Sequence, residues 1–362
     1  MGAMDELISP TVVDDLASIM RRYARVDTAE LRTAVETLTG RKLRGRVDTV
    51  RAALLATLPP SYRSTAALTD TMFEDPRLDG WMIWPLSEAV VHRALEDSST
   101  VAFDDVHRIL AKLTTRLTGE FAIRDLLIAD HRRSLAITRE WTGSPDDHVR
   151  RLASEGTRPR LPWAKQVPAL ITTPGMTRSI LDQLAADPSE YVRRSVGNHL
   201  NDISRDHPDA ATAIASDWTT KHGATLTVRR GLRTLVKRGN SDALALLGFS
   251  TTTLGPEPPT LDADHVRIGE TLPYTVTVQN LGDSDANVVI DVVLTSPTAT
   301  AGSTERVFKL ARRSIPGNGA VTVSGKRSFA PLSTRTIRAG RHSLMTQANG
   351  QRSAPTFFDV HA

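Results

Sequence analysis

The chain has 362 residues, 40% of them hydrophobic and 5% aromatic, with a formal charge of +4. That length predicts two or three domains, and the hydrophobic share is enough for real cores. Cysteine is absent, which excludes disulfides, thiolate nucleophiles, zinc–cysteine sites and cysteine-bound iron–sulfur clusters. No stretch approaches the roughly 20 apolar residues of a membrane span. The opening Met1-Gly2-Ala3-Met4 is not that of a signal peptide, and its first three residues are read as a cloning remnant.

Residues 16–58 carry helical periodicity through Leu16, Ile19, Met20, Leu31, Val35, Leu38, Val47, Val50, Leu54 and Leu55, and Pro59-Pro60 ends the run. Helices continue from residue 66. The aromatic run Trp81 to Pro85 is expected in the core. Residues 104–117 and 120–141 are amphipathic, joined by Thr118-Gly119.

Two copies of one pattern follow, PDDHVRRLA from Pro145 and PSEYVRRSV from Pro188. Each has a helix-start signal, Ser144-Pro145 or Asp187-Pro188, with Pro suited to the first helical position. Residues 208–221 read as another helix. Residues 226–238 form a third Val-Arg-Arg copy. The valines at 149, 192 and 228 are spaced by 43 and 36 residues. HEAT and armadillo repeats run about 40–47 residues, so the copies are degenerate. An all-α HEAT-like repeat solenoid is predicted for residues 1–249.

Composition then shifts. Residues 250–259, with Pro256, Pro258 and Pro259, read as a linker. Beyond it the period becomes two, in Leu272 to Val278, Val288 to Leu294 and Ala320 to Val323, with Asn280, Gly282, Gly302, Gly317-Asn318-Gly319 and Gly340 between the runs. Short strands with turn signals predict a small all-β immunoglobulin-like sandwich over residues 260–362.

Charge is uneven. Between Arg306 and Arg352 there are ten Lys/Arg and no Asp/Glu, with clusters at Arg312-Arg313, Lys326-Arg327 and Arg335, Arg338 and Arg341. The helical part adds Arg150, Arg151, Arg158, Arg160, Lys165, Arg193, Arg194, Arg229, Arg230, Arg233, Lys237 and Arg238. Stacked repeats are expected to line these up as a stripe suited to a phosphate backbone. A solvated face, or pairing with an Asp of the next repeat, is the alternative.

Glu120, Glu155, Trp163 and Asp202 form the candidate chemical constellation. Hydrolysis of a glycosidic bond passes through an oxocarbenium-like state, which carboxylates and electron-rich rings stabilise. Glu155 lies six positions after its repeat valine and Asp202 ten after its own, a difference of four that shares a helical face. Leu161-Pro162 breaks the helix ahead of Trp163 and presents its ring. There is no His-x-x-x-His metal pair, no phosphate-binding glycine loop and no Gly-x-Ser-x-Gly elbow. From residue chemistry alone this is a basic helical solenoid with an acidic cluster, compatible with a non-catalytic HEAT-repeat scaffold for DNA or protein.

The segments LASEGTRPRLPWA (from Leu152) and DPSEYVRRSVGNHLNDISRDHPD (from Asp187) closely resemble the AlkC family of bacterial DNA alkylation repair proteins. The likeness extends more weakly over residues 1–249, and an immunoglobulin-like domain after the repeats fits the family. The resemblance implies a monofunctional DNA glycosylase with no cofactor. It implies action on cationic N-alkylated bases such as 3-methylcytosine, 1-methyladenine and 3-methyladenine. Glu120, Glu155, Trp163 and Asp202 match the active-site positions. DNA contacts are expected from Arg151, Arg158, Arg160, Lys165, Arg193, Arg194, Asn198, Arg229 and Arg230, and from Arg312, Arg313 and Arg338 on the sandwich. The implied partner is double-stranded DNA with alkylated bases, met by a cytoplasmic monomer without metal or membrane.

Overall fold

The computed structural model describes residues 4–24, 26–250, 252–300, 302–331 and 336–362, without the side chain of His222. Residues 1–3, Thr251 of the expected linker and Arg335 of the expected basic cluster lie outside the described residues. The chain divides into two compact units, Met1–Gly231 and Leu232–Ala362.

The first unit is built of helices. They are α1 (Pro10–Ala24), α2 (Ala29–Glu36), α3 (Leu43–Thr57), α4 (Tyr62–Met72), α5 (Ile83–Asp97), α6 (Thr100–Leu113) and α7 (Ile123–Ala129). There follow α8 (His131–Glu140), α9 (Asp147–Glu155), α10 (Pro168–Thr172), α11 (Arg178–Leu184), α12 (Glu190–Asp206), α13 (Pro208–His222) and α14 (Thr225–Gly231). Periodicity alone merged several of these. Residues 120–141 are two helices, because Asp130 breaks the run and caps α8, its carboxylate accepting from the Arg133 backbone N–H at 3.0 Å. Glu120 therefore sits in the turn before α7 and not on a helix. Residues 226–238 are also two helices, α14 and α15 (Arg233–Lys237), which meet at Leu232. Apolar phase survives a one-residue break, so the pattern does not reveal it.

The second helix of the repeated pattern, α12, is the longest among the described residues, with 17 residues. Val192, Val196, Leu200 and Ile203 recur every three or four positions and are buried. The repeat valines Val149 and Val228 are buried too. Two glycines let α12 and α14 touch. A Cβ on Gly231 would lie 2.5 Å from Leu200, and one on Gly197 would lie 2.9 Å from the Arg230 side chain.

The helices α9 and α12 begin alike. Asp146 caps α9, its Oδ1 accepting from the backbone N–H of His148 and Val149 at 2.8 and 3.3 Å. The prolines stand ahead of the caps Asp146 and Ser189, and not at the first helical position. Arg150 Nη1 donates back to the carbonyls of Ser144 and Pro145, both at 3.0 Å. Arg193 Nη1 does the same to the carbonyls of Asp187 and Pro188. Arg150 also pairs with Asp187 of the next copy, Nε to Oδ2 at 2.8 Å. The first arginine of each of these copies thus fastens its own helix start, a local task that accounts for its recurrence.

The second unit opens with α15 and α16 (Ser241–Leu246), before ten strands among the described residues. These are β1 (Leu254–Pro256), β2 (Thr260–Leu261), β3 (His265–Arg267), β4 (Thr271–Asn280), β5 (Ala286–Pro297), β6 (Ser303–Ile315), β7 (Ala320–Ser328), β8 (Gly340–Ala348), β9 (Gln351–Arg352) and β10 (Thr356–His361). One sheet joins β1 and β2 to β4, with β7 on β4 as well; the other runs β3-β10-β8-β5-β6. A single apolar cluster draws on both sheets, including Leu272, Tyr274, Val276 and Val278 of β4 and Val288, Ile290, Val292 and Leu294 of β5. The unit is therefore a sandwich with one core.

Two sequence expectations change here. Residues 250–259, expected as a linker, contain β1, which pairs antiparallel with β4 from Leu254 opposite Asn280 to Pro256 opposite Val278. The alternation expected for residues 288–294 is lost, since β5 is buried on both faces, Val289, Asp291 and Val293 included. Helix α15 is tied to the neighbouring strand β8, where Gln347 Nε2 donates to the Lys237 carbonyl at 2.9 Å. Asn349 Nδ2 donates to the carbonyls of Ser250 and Asn287 at 2.9 and 3.0 Å. Gly239 and Gly350 allow a backbone crossing. Their φ angles are +73° and +84°, and a Cβ on Gly239 would lie 2.4 Å from the Gly350 Cα. Among the described residues no helix is long and apolar enough to cross a membrane.

Candidate active site

Three acids named from sequence are joined by two arginines. Glu120 accepts from Thr118 Oγ1 at 2.9 Å and pairs with Arg151 Nη1 at 2.6 Å. Arg151 reaches on to Glu155, Nη2 to Oε1 at 3.5 Å. Glu155 Oε1 also accepts from Arg158 Nη1 at 2.6 Å. Arg158 then forks onto Asp202, Nε to Oδ2 at 2.8 Å and Nη2 to Oδ1 at 3.1 Å. The chain Glu120–Arg151–Glu155–Arg158–Asp202 is thus continuous. It is also deep, with Asp202 2%, Glu155 5% and Glu120 9% exposed. The Arg151 guanidinium lies over the Tyr191 ring, 5.2 Å from its centroid.

Electrostatics separate the acids. Burial raises Asp202 above the ordinary aspartate value, against the opposing pull of Arg158. Burial also raises Glu120, with Glu155 adding to it and Arg151 opposing. For Glu155 burial pushes upward as well, but the charges of Arg151 and Arg158 prevail and hold its carboxyl below the usual range.

Trp163 lies in the loop between α9 and α10. Unlike the acids it is 57% exposed. Its φ is +64°, a left-handed conformation rare for a bulky residue and a sign of stored strain. Pro162 ahead of it is exposed too. Behind the loop sits Arg124 of α7, a residue that the sequence reading missed. Its Nε donates to the Lys165 carbonyl at 2.8 Å, and its Nη1 to the carbonyls of Gly156 and Arg158 at 2.9 and 2.8 Å. The available signal was an arginine sharing a helical face with Leu127 inside an apolar run.

The other cations expected at DNA take varied places. Arg160 and Lys165 flank the site in exposed pairs with Asp206 (2.8 Å) and Asp125 (2.6 Å). Such pairs are worth about 0–1 kcal/mol, so a phosphate can displace them. Arg193 turns Nη1 toward its helix start, and Arg194 pairs with Glu190 at 3.3 Å. Asn198 is half-buried on α12, while Arg229 and Arg230 are exposed on α14. In the second unit Arg312, Arg313 and Arg338 are exposed, Arg312 lying over the Phe249 ring at 5.2 Å. The arginines of successive copies therefore do not share one environment, and Arg151 and Arg158 are tied to acids and not to solvent.

His199 is buried beneath the site. Its Nδ1 lies 2.9 Å from the Ser154 carbonyl and its Nε2 3.1 Å from Thr177 Oγ1. Burial pushes its pKa down to about 3, so it is neutral.

Known proteins share this architecture. Residues 120–235 match the family model described as DNA alkylation repair enzyme, and residues 256–362 match the C-terminal Ig-like domain of uncharacterised protein YhaZ. Uncharacterized protein YhaZ of Bacillus subtilis (strain 168) is 33% identical over 320 residues, 88% of this chain and 87% of that protein. The structure of Pseudomonas fluorescens alkylpurine DNA glycosylase AlkC, bound to DNA containing an abasic site analog, covers 100% of both chains at 30% identity with a TM-score of 0.88. The chain belongs to the AlkC family of DNA alkylation repair proteins, in the form that ends in an immunoglobulin-like domain.

Proposed function

We propose that this protein is a monofunctional DNA glycosylase. It hydrolyses the N-glycosidic bond of cationic N-alkylated bases, 3-methylcytosine, 1-methyladenine and 3-methyladenine, in double-stranded DNA. The observation that carries this reading is the buried carboxylate chain through Arg158, next in sequence to a loop that exposes an indole. The similarity to alkylpurine DNA glycosylase AlkC supports it over the whole chain.

The chemistry suits the substrate. An N-alkylated base carries positive charge and departs neutral, taking the electron pair of the bond, so it needs no general acid. Positive charge then develops on the sugar. A carboxylate about 4 Å away is worth roughly 4 kcal/mol at an effective dielectric near 20. At 1.36 kcal/mol per decade this is about a thousandfold in rate. Water adds to the sugar carbon and gives its proton to a carboxylate. Asp202 stabilises the cation and places the water, Glu155 and Glu120 complete the negative field, and the Trp163 ring faces the sugar.

In this reading the helical unit is a HEAT-like repeat solenoid, supported by the buried valines Val149, Val192 and Val228 and the like starts of α9 and α12. Arg160, Lys165, Arg194, Arg229 and Arg230 hold the DNA backbone, and Arg312, Arg313 and Arg338 add contacts from the sandwich. The protein acts as a monomer in the cytoplasm, on nucleoid DNA.

The test is release of free base from a panel of N-alkylated duplexes. The parent should release base, and Asp202→Asn should do so about a thousandfold more slowly. DNA binding without any base release by the parent would favour a non-catalytic scaffold. Full activity in Asp202→Asn would remove that residue from the mechanism.

A further inference from the structure

We propose that Arg124 is a positioning residue for this reaction, which fixes the α9–α10 loop so that the Trp163 indole stands out toward the DNA sugar. The proposal rests on the glycosylase reading.

Arg124 is fully buried, yet no carboxylate is among its hydrogen-bond partners. Its guanidinium spends itself on backbone. The three carbonyls it holds, Gly156, Arg158 and Lys165, lie before and after Trp163 in one loop. Few backbone bonds close that loop internally. Ala164 N–H reaches the Leu161 carbonyl at 3.4 Å, and Arg158 N–H reaches the Glu155 carbonyl at 3.3 Å, both long. A left-handed φ at a bulky, largely exposed residue persists only where its surroundings over-determine it. The side chain of Trp163 does not supply that constraint, because it is mostly in solvent. Arg124 does, gripping the chain on both sides of it.

The choice of arginine is informative. A core strut at this position needs only an apolar side chain. Three carbonyls in fixed directions need a rigid fork of N–H donors, which lysine cannot reproduce. The fork comes at a cost, since Nη2 is buried with no hydrogen-bond partner. Burial and the like charge of Arg158 also pull the pKa of Arg124 down to about 10. A cost of this kind is retained where geometry matters. The Arg158 carbonyl is one of the three acceptors, so the same grip orients the residue that joins Glu155 to Asp202.

The experiment uses the full chain as parent, Arg124→Lys and Arg124→Met, each with and without Trp163→Phe. Four quantities are read: thermal unfolding, affinity for duplex DNA with an abasic-site analogue, single-turnover base release, and the fluorescence and acrylamide quenching of Trp163 by difference between each pair. Arg124→Lys is expected to fold and to bind DNA as the parent does. Its base release should slow about 100-fold, the scale of a misplacement of roughly 1 Å, and Trp163 quenching should change with it. Parent-like base release in a folded Arg124→Lys overturns the proposal. Slowed release with parent-like Trp163 quenching overturns it too, as does failure of both variants to fold, which would make Arg124 a core strut. Should the parent itself release no base, the glycosylase reading falls, and Trp163 quenching alone decides whether Arg124 sets the loop.

Discussion

Arg158 and Asp202 face each other as a two-bonded pair, at 2.8 and 3.1 Å, while the same guanidinium holds Glu155 at 2.6 Å. One buried cation is shared between two acids from different helical segments. With Glu120 and Arg151 added, the hydrogen-bonded chain has three carboxylates and two guanidiniums. One negative charge is left over within it. That surplus fits the raised Asp202 and Glu120, and it suits a cationic sugar.

Removal of Arg158 should be expensive. Arg158→Met leaves two buried acids without their shared partner, and breaking such a pair costs about 3–5 kcal/mol. Chemical denaturation near neutral pH should show a loss of about 3 kcal/mol. Adding Asp202→Asn to Arg158→Met should cost less than the sum of the two single changes. Strict additivity would mean that the two residues do not interact.

Trp163 should behave in the opposite way. Trp163→Gly relieves a left-handed backbone, worth about 1–2 kcal/mol, and gives up little buried surface. Against this stands the greater freedom of glycine when unfolded, about 0.5–1 kcal/mol. The variant should unfold at nearly the parent's denaturant midpoint while base release falls by more than about tenfold. A large loss of stability would show that the indole is a packing residue.

Acid should loosen the helical unit through His199. Its folded pKa of about 3 is below the ordinary 6.5. A depressed value contributes stability that is present above the unfolded pKa and lost as pH falls toward the folded one. Between pH 6.5 and pH 5 this amounts to about 2 kcal/mol. His199→Gln should flatten the stability profile across that window. An unchanged slope, measured by urea unfolding at several pH values, would refute the assignment.

The sandwich should respond with the reverse sign at Asp291. Burial raises this acid from 3.8 to about 6, although Lys237, Gln347, Lys309 and Arg312 oppose the shift. Stability is therefore fully present below the unfolded pKa and is lost as pH rises through about 6. The stability of Asp291→Asn relative to the parent should improve by about 2 kcal/mol between pH 4 and pH 7. A constant difference would contradict the shift.

Much of the helical framework could be read from residue spacing. The Asp187-Pro188 start signal and the repeated Val-Arg-Arg put α12 in place, and the four-residue offset of Glu155 and Asp202 anticipated that they share a side. Pro162 foreshadowed an exposed Trp163. Other features were hidden for physical reasons. Sequence shows that Arg151 and Arg158 are charged but not that Arg158 is buried and Arg151 turned onto two acids, so both looked like solvent-facing cations. Arg150 and Arg193 recur because a helix start needs fastening, which mimics a functional repeat. The partners of Arg124 are carbonyls, and backbone leaves no mark in composition. The edge strand β6, rich in charge, lacks the alternation that betrays β4.

The crossing of Gly239 and Gly350 bears on how the gene can be cut. Composition invites a break after residue 249, yet residues 232–250 supply acceptors to Gln347 and Asn349, and Phe249 lies under Arg312. A piece starting at residue 260 forfeits β1 and both short helices, and with them the acceptor of Gln347 Nε2 and one of the two acceptors of Asn349 Nδ2. Severing ahead of Leu232 keeps that clasp whole, so the longer piece is the one to express when the sandwich is wanted alone.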